Sequence, residues 1–151
     1  MSSGCRKAVF KGDLYCECIE DGGKIDVYEA SYKAKKGVLE IIDETGETLT
    51  WFEAIRRFSE KDPRAWIMFT VYNDLRERGR VVKLGPYENS FTLYVSGKPK
   101  AIIFVLEETV LLKIDLLREY LESSMKMGRE CILAIVDKHG DVSYYRVGKF
   151  S

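Results

Sequence analysis

Residues 62–85, DPRAWIMFTVYNDLRERGRVVKLG, decide how the second half of the chain is built. Pro63 directly behind Asp62 suits a first helical position behind an N-cap, where proline has no needed N–H to lose and its φ is preset. Ala65, Met68, Phe69, Tyr72 and Leu75 then recur at three- and four-residue spacing and line one face of a helix. Gly79 supplies the stop, because the left-handed conformation that closes a helix costs glycine nothing. Beyond it the texture turns β-branched, and residues 81–84 read as a strand.

Toward the carboxyl end, residues 91–95 and 101–106 read as further strands of the same sheet, with Gly85-Pro86 and Gly97-Lys98-Pro99 as connectors. Residues 110–114 fit a strand or a helix entry. Asp115 as a cap, with Leu117, Tyr120, Leu121, Ser124 and Met125, predicts a helix ending near Gly128. Runs at 131–136 and 142–147 flank Asp137-Lys138-His139-Gly140-Asp141, a closing hairpin.

Toward the amino end, the segment 59–62, Ser-Glu-Lys-Asp, is polar and marks a domain boundary, giving domains 1–62 and 63–151. Thr50 with Glu53 is a T-x-x-E capping box, opening a helix with Trp51, Ile55 and Phe58 on its apolar side and an end near Ser59. Residues 38–42 read as a strand and 43–47 as a turn around Gly46. Asp26 with Glu29 opens a helix over 27–36 that Gly37 stops, and residues 5–19 form a hairpin around Lys11-Gly12-Asp13.

Composition narrows the function classes. No stretch approaches the roughly 20 apolar residues of a membrane span, and the start, MSSGCRKAVFKGD, lacks the apolar run of a secretory signal. The expected location is the cytoplasm, with no membrane partner. Lys plus Arg and Asp plus Glu both count 24, so any contact with RNA must rest on local patches or on a partner. Cys5, Cys16, Cys18 and Cys131 have no C-x-x-C and no histidine at zinc-ligand spacing, so no metal and no cofactor is expected. Cys16 and Cys18 would share a strand face; buried thiols are the first reading and a disulfide the second.

The pattern Trp66-x-x-Phe69-x-Val71-Tyr72-x-x-Leu75-Arg76-x-Arg78-Gly79-x-Val81-Val82-Lys83-x-Gly85, followed by Phe91-Thr92-Leu93-Tyr94, resembles the catalytic-domain signature of archaeal tRNA-splicing (tRNA-intron) endonucleases. The resemblance continues at 132–137 and 140–147, the family's closing hairpin, and at 28–32 and 37–40 in its amino-terminal domain. It implies an α+β fold: a small amino-terminal α+β domain, then a nuclease-type domain with a central mixed sheet. It also implies a four-subunit assembly that cuts pre-tRNA at a bulge-helix-bulge, where splayed bases are accessible as they are not in a continuous duplex. The family's chemistry has a 2'-hydroxyl attack the neighbouring phosphate, served by Tyr, His and Lys as base, acid and cation.

Tyr94 falls where the family carries its tyrosine. The histidine is expected at the opening of the next strand, yet residues 95–106 contain none, and Arg129-Glu130-Cys131 stands where the lysine belongs. The resemblance therefore implies a structural subunit, with Tyr94 as a vestige that packs or touches RNA, paired with a catalytic paralogue in a two-plus-two assembly acting on pre-tRNA. By the same resemblance Asp137 and Asp141, Asp141 above all, enter a basic pocket of a neighbouring subunit, and the last strand, with Val142, Tyr144 and Arg146, meets its counterpart. The simpler reading of the two aspartates is turn formation. Arg76, Arg78, Arg80 and Lys83 form a basic cluster that either complements a helix end or contacts phosphate; Arg129 and Arg146 are alternative RNA contacts. His139, in the hairpin tip, reads as a solvated turn residue. Two rivals stand beside this: an active ribonuclease joining Tyr94 with Lys100 or His139, and a stand-alone RNA-binding protein on the same scaffold.

Overall fold

The computed structural model describes residues 4–109 and 113–148. Their contacts divide the chain into two compact units, Met1–Phe69 and Thr70–Ser151, so the division falls inside a helix, where the sequence places it at 62/63.

The first unit holds β1 (Lys7–Val9), β2 (Tyr15–Cys18), β3 (Lys24–Asp26), α1 (Val27–Lys35), β4 (Glu40–Ile42), β5 (Thr48–Leu49), α2 (Trp51–Ser59) and the start of α3 (Ala65–Glu77). Its sheet runs β3-β2-β1-β4-β5, parallel only between β1 and β4. The expected hairpin is β1–β2, and its two-residue alternation buries Ala8, Cys16 and Cys18. Asp26 caps α1 by accepting from the backbone N–H groups of Tyr28 and Glu29. Thr50 caps α2 through the Glu53 N–H, while the Glu53 carboxylate turns to Arg56 and Arg57.

The second unit holds the rest of α3, β6 (Val81–Leu84), β7 (Ser90–Val95), β8 (Lys98–Glu107), α4 (Ile114–Lys126), β9 (Glu130–Val136) and β10 (Val142–Val147). Its sheet is ordered β10-β9-β8-β7-β6, with β8 and β9 parallel and joined through α4, as a parallel pair requires a crossover. The fold is thus mixed α+β, two mixed sheets with helices. One face of the second sheet buries Ile102, Phe104, Leu106, Cys131 and Leu133 beneath Leu117, Tyr120 and Leu121 of α4. On the other face the Tyr72 ring of α3 lies 5.8 Å from that of Phe91.

Several expectations are corrected. α3 starts at Ala65, because Asp62 accepts from the Arg64 N–H and Pro63 lies in the turn ahead of the helix. Lys98 and Pro99 belong to β8; the β7–β8 turn is Ser96-Gly97, both at positive φ as a two-residue hairpin of this twist demands. Asp115 lies in the first turn of α4 and Lys113 takes the cap position without a side-chain bond, while Met125 faces solvent. Of the ambiguous segment 110–114, residues 110–112 lie outside the described residues. Val38 is exposed and precedes β4. Cys5 and Cys18 form a disulfide, leaving Cys16 and Cys131 as the buried thiols. Burial, with the Asp26 charge behind it, pushes the Cys16 thiol up to about 12, which keeps it protonated.

The turn after β6 supplies a first prediction. Gly85 donates to the Ser90 carbonyl, and a Cβ at 85 would meet Ser90 Oγ and stand 2.9 Å from the Ser90 carbonyl carbon. Ser90 cannot swing aside, because its buried hydroxyl accepts from the Tyr87 N–H and donates to the Tyr87 carbonyl. Gly85→Ala is expected to cost about 1–3 kcal/mol in urea unfolding, as overpacking does. A loss under about 0.5 kcal/mol would mean that the turn yields freely.

Candidate functional site

Strand register brings distant cations together on the α3 face of the second sheet. Leu93 pairs with Ala101 but Tyr94 with Pro99, so β8 carries one extra residue there, Lys100, a bulge. Bulges re-aim a side chain, and Lys100 enters a groove of about 310 Å³. Parallel pairing of Ala101 with Glu130 and antiparallel pairing of Arg146 with Ile132 set the Glu130 and Arg146 side chains in the same groove. Arg78 and Arg80 arrive from the end of α3, which closes with the Gly79 N–H on the Arg76 carbonyl and the Arg80 N–H on the Leu75 carbonyl. Gly79, at φ +79°, makes that closure possible.

Glu130 sits among these cations. Its Oε2 lies 3.1 Å from Lys100 Nζ and its Oε1 3.1 Å from Arg146 Nε. The hydrogen bond from Lys100, with the Arg146 charge beside it, holds the Glu130 carboxyl below the usual carboxylate range. Arg78 is fixed differently: its Nε is 2.8 Å from Asp74 Oδ2, and its guanidinium lies 5.6 Å from the centroid of the Tyr144 ring. The Tyr144 hydroxyl donates to the same Asp74 oxygen at 2.7 Å. Burial, then the Asp74 carboxylate, raises the Tyr144 phenol above its ordinary value, so Tyr144 acts as a neutral donor.

The other sequence candidates lie elsewhere. Arg76 donates to the Tyr72 hydroxyl and lies over that ring. Arg129 donates to the Met127 carbonyl. Tyr94 lies between the groove-lining Leu93 and Val95, so by alternation it points to the α4 face, with Lys83 Nζ 6.0 Å from its ring centroid. Tyr94 and Lys100 therefore address opposite faces of the sheet. In the β9–β10 turn, Asp137 Oδ1 accepts from the backbone N–H groups of His139 and Asp141, which folds the tip and commits that carboxylate to the turn. Asp141 is exposed and has no side-chain partner among the described residues; His139 is exposed in the tip. Val142 opens β10. Among the described residues, the group with metal-ligand chemistry is Cys5, Cys18 and Glu20, whose two sulfurs are joined in the disulfide.

Sequence reasoning named Arg78, Arg80 and Arg146 but missed Glu130 as the counterion of Arg146 and Lys100, and weighed Lys100 only as a substitute catalyst. The signal available was the bare juxtaposition of Lys100 and Glu130 at the starts of two strands.

Fold and site together define an α+β protein whose second unit has a nuclease-type mixed sheet with a basic groove on one face. The family described as tRNA intron endonuclease, catalytic C-terminal domain, matches residues 65–144, more than half of the chain, and the chain belongs to that family. It is similar to the tRNA-splicing endonuclease of Methanosarcina acetivorans, 31% identical over 134 residues that cover 85% of this chain and 37% of that protein. The Saccharolobus islandicus tRNA-splicing endonuclease is 31% identical over 134 residues, covering 84% of this chain and 72% of that protein. For the Pyrococcus abyssi enzyme the figures are 29% over 126 residues, 82% and 74%. The chain thus spans little more than a third of the Methanosarcina protein's length. Among the described residues, no helix is long and apolar enough to cross a membrane.

Proposed function

We propose that this chain takes part in removing introns from pre-tRNA as a non-catalytic subunit, pairing with a catalytic paralogue in a two-plus-two assembly that cuts at bulge-helix-bulge motifs. The observation that carries this reading is the state of the positions where the family's acid and cation belong. Residues 95–106 hold no histidine and 129–131 no lysine; Lys100 and Glu130, one from each segment, neutralise one another, on the face away from Tyr94. A transesterification that needs base, acid and cation around one phosphate has here a lone tyrosine. The same geometry weighs against an active site made of Tyr94 and Lys100.

The division of labour in the closing hairpin supports the partner role. Asp137 spends its carboxylate on the turn, so Asp141 is the residue with a negative charge to offer a basic pocket of a neighbour. Tyr144, anchored to Asp74 within the chain, contributes to such a contact by holding β10 in place. The domain of action is the cytoplasm, where tRNA precursors are processed.

The test mixes the purified chain with a catalytic paralogue complete in Tyr, His and Lys, measures the mass of the assembly, and assays a bulge-helix-bulge pre-tRNA. Cleavage by the mixture is expected to exceed that by this chain alone by at least about 10³-fold, the combined weight of a missing acid and a missing charge stabiliser. Mass should fit two copies of each protein. Cleavage by this chain unaided at a comparable rate would sink the proposal.

A further inference from the structure

The groove on the α3 face holds more positive charge than its internal carboxylate can neutralise. Arg78, Arg80, Lys100 and Arg146 line it with Glu130 as the lining carboxylate, and Asp74 answers Arg78 from beside the lining, so four cations meet two carboxylates in a chain whose formal net charge is zero. Glu130 uses one oxygen on Lys100 and the other on Arg146, so each of its oxygens already has a cation. Arg80 is exposed and has no partner among the described residues. Arg78, clamped by Asp74 and stacked on Tyr144, is held in place before any ligand arrives.

We infer that this groove is a binding site for a backbone phosphate of RNA, and that Glu130 is a built-in competitor which the phosphate must displace from Lys100 and Arg146. The choice of phosphate follows from shape. A carboxylate presents two oxygens in one plane and leaves Arg80 unanswered, whereas the tetrahedral oxygens of a phosphate meet cations from several directions, and arginine forks match them in pairs. Exchange of one anion for another lets the salt bridges reform without leaving a cation uncompensated. Leu93, Val95 and Ile103 floor the groove, giving an apolar surface beside the charges.

This inference goes beyond the subunit reading and does not rest on it: the chain by itself suffices for the test, whatever the outcome with a catalytic paralogue. The full chain is titrated against a fluorescein-labelled ten-nucleotide single-stranded RNA at fixed low salt and followed by anisotropy, with an oligo-aspartate peptide as a second labelled probe. Removing the competitor with Glu130→Gln is expected to tighten RNA binding by about 5-fold, the weight of one partly screened charge contact. Arg80→Ser, at an exposed position that threatens no packing, is expected to weaken it by about 5-fold. Lys126→Ser, an equal change of charge on α4 at the opposite face, should leave it within about 2-fold, and added pyrophosphate should displace the RNA. An unchanged or weakened affinity in Glu130→Gln, or equal losses in Arg80→Ser and Lys126→Ser, overturns the assignment. So does binding of the oligo-aspartate peptide without binding of RNA, which would make the groove a dock for an acidic protein segment.

Discussion

Replacing Phe104 by alanine is expected to remove about 3–5 kcal/mol from the stability of the Thr70–Ser151 unit, the usual range for deleting a fully buried aromatic ring. Phe104 is 1% exposed and stacks on Tyr120 of α4 at 4.0 Å between centroids, with Tyr87 at 5.7 Å. The ring is the contact through which the crossover helix closes on the sheet. Collapse of the cavity is hindered because Tyr120 is not free to follow: its hydroxyl takes the side-chain amide of Asn89, which also donates to the Val105 carbonyl. In urea the midpoint of that unit's transition should fall by about 1 M or more, and Phe104→Leu, which keeps most of the apolar volume, should lose only about 1–2 kcal/mol. A drop below about 1 kcal/mol for the alanine variant would show that α4 is not held by this stack.

What the sequence revealed depended on whether a feature is local. The caps at Asp26 and Thr50 and the stops at Gly37, Gly79 and Gly128 are written in single residues with one physical role: α1 and α2 begin, and α1, α3 and α4 end, where those residues say. β3 and β5, of three and two residues, carry no alternation long enough to read and exist because neighbouring strands pair with them. Asp115 misled because capping preference is a tendency, and Lys113, one residue before the helix, holds the cap conformation without a side-chain bond. In the sequence Pro99 reads as a connector because proline disfavours strand interiors, yet it pairs with Tyr94 beside the bulge, where an irregular ladder tolerates it. The groove was legible only in part. Arg78 and Arg80 are neighbours in sequence, but their meeting with Lys100, Glu130 and Arg146 is set by the β8–β9 and β9–β10 registers, which no single segment encodes.

Asp26→Asn is expected to make the protein more stable at pH 7.5 and to flatten its stability between about pH 4 and 6, where a carboxyl of shifted pKa would otherwise titrate. Burial pushes the Asp26 carboxyl up from 3.8 to about 6, against the hydrogen bonds from the Glu29 and Tyr28 N–H groups, which pull it down, and with the Glu29 charge adding to the rise. The folded chain therefore binds this proton more tightly than the unfolded chain does. Its contribution to stability is complete below the unfolded value of 3.8 and is lost as pH rises through the folded value of about 6. Two pH units correspond to about 3 kcal/mol as an upper bound. Because Asp26 keeps partial contact with solvent, the expected gain of the asparagine variant at pH 7.5 is on the order of 1–2 kcal/mol. Asparagine suits the test, since its carbonyl oxygen still accepts from Tyr28 and Glu29 and preserves the cap while removing the charge. Urea unfolding at pH 4.0 and 7.5 decides the matter: the two proteins should converge at the lower pH and separate at the higher. A variant less stable at pH 7.5 that recovers on acidification would reverse the sign and show that the charged carboxylate stabilises the start of α1.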